Sequence, residues 1–123
     1  METYPIPNAY RQTCPTRQVL DRVGDKWTIL IYGVLSTGPK RFSEIQRAIE
    51  GISQKMLSQT LRSLERDGLV QRTVYPVTPP KVEYALTELG ETLCEPINRL
   101  QEWAYQYISH IENAQQAFDA RDE

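Results

Sequence analysis

Between positions 53 and 66 the sequence sets Lys55, Ser58, Gln59, Arg62 and Arg66 where they fall on one face of an α-helix. Lys and Arg bond phosphate or guanine, Gln bonds adenine through two hydrogen bonds, and Ser meets either kind of partner. This face therefore holds the side chains that read a DNA major groove. Ser53 and Gln54 at the start of the stretch, and Arg41 upstream, extend the candidate contact set. An amphipathic surface helix whose polar face meets only water would carry the same pattern. The surroundings must decide between the two readings.

Cys14 is the second chemical candidate. Cys14-Pro15 stands at a helix start with Arg11 and Arg17 close in sequence, and both the helix dipole and nearby cations favour thiolate, the form that reacts. The alternative is a small buried hydrophobe, the commonest fate of a free Cys. Cys94, less than a turn before Pro96, is either a resolving partner or simple packing. Cys14, Cys94 and His110 are scattered singles without ligand spacing, so no metal or other cofactor is expected. A thiol-peroxidase use of Cys14 lacks a base, and no Gly-rich phosphate loop or paired carboxylates occur. No catalytic residue is assigned, and the chain is read as not an enzyme.

These residues need elements to position them. Cys14-Pro15-Thr16 opens a helix with Val19, Leu20 and Val23 inward, ending at Gly24. Asp25 caps a central core helix carrying Trp27, Ile29, Leu30, Ile31, Val34 and Leu35, which Gly38-Pro39 breaks. Ser43 with Gln46 makes a capping box for a helix with Ile45, Ala48 and Ile49 inward. After the turn Glu50-Gly51-Ile52, Ser53 caps the helix of the opening paragraph, whose inner stripe is Leu57, Leu61 and Leu64 and whose end is Gly68. Two short helices joined this way predict a helix-turn-helix. The alternating runs Leu69 to Tyr75 and Val82 to Leu86, separated by Pro76, Pro79 and Pro80, then predict a β-hairpin. A hairpin in this place is a wing, with Arg72 and Lys81 beside the duplex backbone as phosphate contacts.

Thr87 caps a last helix that Pro96 should kink. From Ile97 onward, Leu100, Ala104, Tyr107, Ile111, Ala114 and Phe118 follow at alternating steps of three and four, an a/d seam suited to burial against its own copy in a dimer. Folding back on its own domain is the alternative. The fold class is thus mainly α with a small β-hairpin wing. Residues 1–13 are expected as a flexible N-terminal arm, 14–87 as the winged helix-turn-helix, and 88–123 as the dimerisation helix and tail.

A net charge of −2 argues against a nucleic-acid partner until the charge is followed along the chain. From Lys40 to Lys81, eight Lys or Arg face four acids; from Val82 onward, two Arg face nine. A basic middle and an acidic tail are expected when only one part meets phosphate. No apolar run approaches the ~20 residues that span a bilayer, so no membrane partner is expected. METYPIPNAYRQT has neither a charged nor an apolar signal region, and two cysteines are too few for a disulfide scaffold, so the cytoplasm is expected.

Read in order, the residues Cys14-Pro15, Val23-Gly24-Asp25-Lys26-Trp27, Arg41-Phe42-Ser43-Glu44-Ile45, Ile52-Ser53-Gln54-Lys55-Met56-Leu57, Leu61-Arg62, Leu64-Glu65 and Asp67-Gly68-Leu69-Val70 form a pattern. It continues through Tyr75-Pro76, Pro79-Pro80, Val82-Glu83-Tyr84 and Leu86-Thr87-Glu88-Leu89-Gly90. The pattern resembles the HxlR family of bacterial winged-helix transcriptional regulators, relatives of the MarR group. It departs at Asp25, where the family more often has a second Gly. The resemblance implies a homodimer on double-stranded operator DNA with an inverted repeat, residues 53–66 as recognition helix and 70–85 as wing. Several members sense thiol oxidants or electrophiles through a Cys at the position of Cys14. Control by an unknown small-molecule inducer with Cys14 only structural, and a winged helix that binds protein, remain the competing readings.

Overall fold

Helices form where the sequence supplies both an apolar stripe and end signals. The computed structural model describes residues 8–121 and places α1 at Pro15–Val23, α2 at Lys26–Leu35, α3 at Phe42–Ala48 and α4 at Gln54–Arg66. The hairpin strands β1, Val70–Tyr75, and β2, Lys81–Leu86, follow, then α5, Glu88–Glu91, and α6, Cys94–Arg121. Cys14 is the N-cap of α1 with Pro15 in the first turn, where its missing N–H costs nothing. The Asp25 carboxylate accepts from the Trp27 backbone N–H at 2.8 Å and starts α2.

One core joins the elements. Ile31, Tyr32 and Leu35 of α2 meet Ile45, Ile49, Ile52, Leu57, Leu61, Leu64, Val70 and Ile97. Each such aliphatic side chain, fully buried, contributes roughly 1.5–3 kcal/mol. The strands pair antiparallel with Val70 opposite Leu86 and Tyr75 opposite Lys81. Lys40 bridges the free edge of β2, exchanging backbone hydrogen bonds of 2.9 and 2.8 Å with Tyr84, so the segment before α3 is fastened to the wing.

Several sequence expectations change. The box at Ser43 and Gln46 does not form: α3 begins at Phe42, and the Arg41 backbone N–H donates to Glu44 Oε1 at 2.9 Å. A carboxylate in the first turn complements the helix dipole, which an amide further along cannot do. Ala48 faces solvent, and Ile49 turns inward just past the helix end. In α2 the inner face is Thr28, Ile31, Tyr32 and Leu35, while Leu30 points outward. No residue of α1 is buried, and Val19 and Leu20 are 58% and 57% exposed, because α1 lies on the rim of the chain.

The last helix is not kinked at Pro96. The Thr87 hydroxyl caps α5 by accepting from the Gly90 N–H at 2.9 Å, the chain turns at Thr92 and Leu93, and α6 restarts with Pro96 in its first turn. Gly90 sits so close to Leu69 that a Cβ there would run into its carbonyl oxygen. Ile97 is 1% exposed and belongs to the core, so it is removed from the dimer seam and the packed unit extends past residue 87. Of the N-terminal arm, residues 1–7 lie outside the described residues. Residues 8–13 make turns, with Arg11 N–H donating to Asn8 O and Cys14 N–H to Arg11 O.

Candidate nucleic-acid interface

The turn between α3 and α4 depends on Gly51, whose φ of +88° is open to glycine at little cost. It leads to Ser53, whose hydroxyl accepts from the Met56 N–H at 3.0 Å and fixes the start of α4. Leu57, Leu61 and Leu64 are drawn into the core, which forces the opposite face outward. Ser53, Gln54, Lys55, Gln59, Arg62 and Arg66 are exposed on it, and Ser58 is half-buried on its flank. Arg41 is exposed at the start of α3. The far end of α4 closes at Asp67 and Gly68, whose φ of +78° redirects the chain into β1.

The strand register assigns the wing's faces. Val70, Arg72 and Val74 share one face with Tyr84, which lies directly opposite Arg72; Thr73, Tyr75, Lys81 and Glu83 share the other. Arg72 and Lys81, grouped on sequence grounds, therefore point to opposite sides. Lys81 Nζ stands 3.9 Å from Glu83 and 5.3 Å from the centre of the Tyr75 ring. Arg72 instead joins Ser58, Leu61, Arg62, Glu65 and Tyr84 around a hollow of about 340 Å³ between α4 and the wing. Tyr84 escaped the sequence reading, although counting the strand register from the Pro tip would have found it. Residues 73–80 of the tip carry no charge, and Val74 and Val77 are exposed.

Cys14 is partly exposed, and its thiol pKa is lowered from the usual value. The first cause is the hydrogen bond from the Thr16 side chain; partial desolvation opposes it, and backbone groups of Thr16, Asn8 and Arg17 assist. The charges of Arg11 and Arg17 are not among the causes. Cys94 shifts the other way, raised by burial and by the Glu91 carboxylate. Tyr32 is pushed up to about 12 by burial and by charge on Cys94. Both cysteines are free.

Leu100, Ala104, Tyr107, Ile111, Ala114 and Phe118 are all exposed along α6, and Trp103 and Ile108 widen their stripe. His110 lies on the same helix, its ring 5.7 Å from that of Tyr107. Arg22 of α1 pairs with Asp67 at the end of α4 at 2.7 Å, the one ion pair joining two elements among the described residues. Among those residues no group of three His, Cys, Asp or Glu could hold a metal, and no helix is long and apolar enough to cross a membrane.

A helix-turn-helix followed at once by a hairpin, with an exposed cationic and amide-bearing second helix, defines a winged-helix DNA-binding protein. The chain belongs to the HxlR-like helix-turn-helix family, which matches residues 22–112. It is 47% identical over 96 residues to the HTH-type transcriptional regulator YtfH of Escherichia coli, an alignment covering 78% of this chain and 76% of that one. Among solved structures, the transcriptional regulator ytfH from Salmonella typhimurium aligns with a TM-score of 0.83 and 39% identity, covering 90% of this chain and 99% of that one. The redox regulator HypR in its reduced form aligns with a TM-score of 0.75 and 41% identity, covering 80% and 98%. The protein is therefore a DNA-binding transcriptional regulator and not an enzyme.

Proposed function

We propose that the protein acts as a homodimer on an inverted-repeat operator, with the thiol of Cys14 as its switch. The observation that carries this reading is the uncovered apolar stripe of α6, running from Leu100 at 46% exposure to Phe118 at 54%. A row of large apolar side chains left in water at this length fits burial against a second copy. Two copies present two recognition helices, which suits half-sites about one helical turn apart, ~10 base pairs centre to centre. Lys55, Gln59 and Arg66 are assigned to base edges, with Ser53, Gln54 and Ser58 beside them. Arg41 and Lys81 are assigned to the backbone.

The lowered thiol pKa of Cys14 supports the switch, as does the redox role printed for HypR. Attack of the Cys14 thiolate on a hydroperoxide breaks the O–O bond and leaves a sulfenic acid; the departing alkoxide or hydroxide takes a proton. A change at the start of α1 reaches the end of α4 through Arg22 and Asp67, and half-site geometry tolerates little displacement. The test selects bound fragments from the source genome with the purified protein, with and without a hydroperoxide, in wild type and Cys14→Ser. An inverted repeat whose recovery changes with oxidant only in wild type is expected; identical responses in both proteins remove Cys14 from the switch.

A second reading, control by a small molecule with Cys14 only structural, draws on a cavity of about 660 Å³. Leu35, Pro39, Leu86, Glu91, Cys94 and Asn98 line it, and its size suits a small ligand. An operator response to a metabolite extract that survives in Cys14→Ser would favour it.

A further inference from the structure

We propose that Arg62 and Arg72 jointly hold one phosphodiester group in the hollow between α4 and the wing. The inference rests on the DNA-binding role and moves Arg62 from base reading to backbone positioning. Ser58, Leu61, Arg62 and Glu65 recur at steps of three, one and three along α4, a stripe the fold turns toward the wing. Arg72 enters from the opposite wall beside its cross-strand partner Tyr84. Buried Leu61 forms the floor, and half-buried Ser58 and Tyr84 supply hydroxyls.

Neither guanidinium is paired among the described residues. The ion pairs among the described residues are Arg22 with Asp67, Lys81 with Glu83 and Arg99 with Glu95, so Glu65 lines the hollow without reaching ion-pair distance of either arginine. Two like charges facing one hollow repel, and an anion between them turns that repulsion into two charge-assisted hydrogen-bonded contacts. Base edges lie in front of the outermost line of α4, at Lys55, Gln59 and Arg66. The hollow lies on the flank, where a strand of backbone runs when helix and wing straddle it. A single phosphate gripped from both elements fixes the register of each at once.

The test measures binding of the full-length dimer to a mixed-sequence duplex against salt, for wild type, Arg62→Ala, Arg72→Ala and the double variant. Superimposable circular dichroism spectra keep the losses attributable to contacts. Both single variants are expected to weaken binding to mixed-sequence and selected duplexes by the same factor. Per recognition helix, the double variant should flatten the slope of log affinity against log salt by about 0.9, the value for one phosphate. A flattening of about 1.8 would mean two separate phosphates and overturn the shared site. Loss confined to the selected duplex in Arg62→Ala would return Arg62 to base reading and also overturn it. Wild type that binds no duplex would overturn the DNA role itself. Inorganic phosphate, titrated calorimetrically at constant ionic strength into the DNA-free protein, is expected to give no saturable heat. Saturable heat absent from both single variants would assign the hollow to a free anion instead.

Discussion

The Thr16 side chain and backbone groups of Thr16, Asn8 and Arg17 shift the Cys14 thiol toward the form that reacts, while burial and Glu91 shift Cys94 away from it. Alkylation of the native protein should therefore label Cys14 first, with a pH midpoint below that of Cys94, and Cys94 only at higher pH. Mass spectrometry of a pH series checks this; labelling of Cys94 first would reverse the assignment. Thr16→Val should move the Cys14 midpoint upward, since it removes the largest favourable hydrogen bond. At the recognition face, Gln59 makes no side-chain hydrogen bond among the described residues and is open to a base. Gln59→Ala should cost roughly 1–3 kcal/mol on the selected operator and almost nothing on a mixed-sequence duplex. Equal loss on both, read by fluorescence anisotropy, would make Gln59 a backbone contact.

The elements were legible wherever a stripe and an end signal coincided, as in α4, where Ser53, Leu57, Leu61, Leu64 and Gly68 all agree with the structure. They were illegible where one residue type serves two roles. Pro96 kinks a helix from its middle and starts one from its first turn, and local sequence does not choose. Ile97 has the seam's spacing, but tertiary packing claims it. The apolar stripe of α1 was visible, whereas its place on the rim, where none of its residues is buried, is set by tertiary packing. Gly90 was unreadable for the same reason, because its role depends on Leu69 across the chain. Gly90→Ala should destabilise the fold by about 1–3 kcal/mol or more through the clash with a backbone that cannot step aside. Gly33, exposed in α2 with nothing within 4 Å of an added Cβ, makes the control: Gly33→Ala should stabilise by roughly 0.5–1 kcal/mol. Denaturant midpoints that move together would show that glycine's chain entropy, not contact, governs both sites.

At the scale of the whole molecule, the basic middle of the sequence becomes the face built from α3, α4 and the wing, while the acid-rich segment runs from β2 through α5 into the long α6. On the proposed seam, Leu100→Glu with Ile111→Glu places like charges in an apolar contact and should give monomers. Both side chains are exposed in the single chain, so those monomers should keep native helical content and lose operator binding. Light scattering that still reports a dimer would remove the seam. Residues 102–121 of α6 are exposed in the single chain, so in the proposed dimer the apparent stability should follow mass action, with a melting temperature that climbs as the sample is concentrated. In a cell the same helix would turn chain number into a threshold. Well below the dimer's dissociation constant, active species grow as the square of the copies present, so a modest change in synthesis becomes a larger change in promoter occupancy.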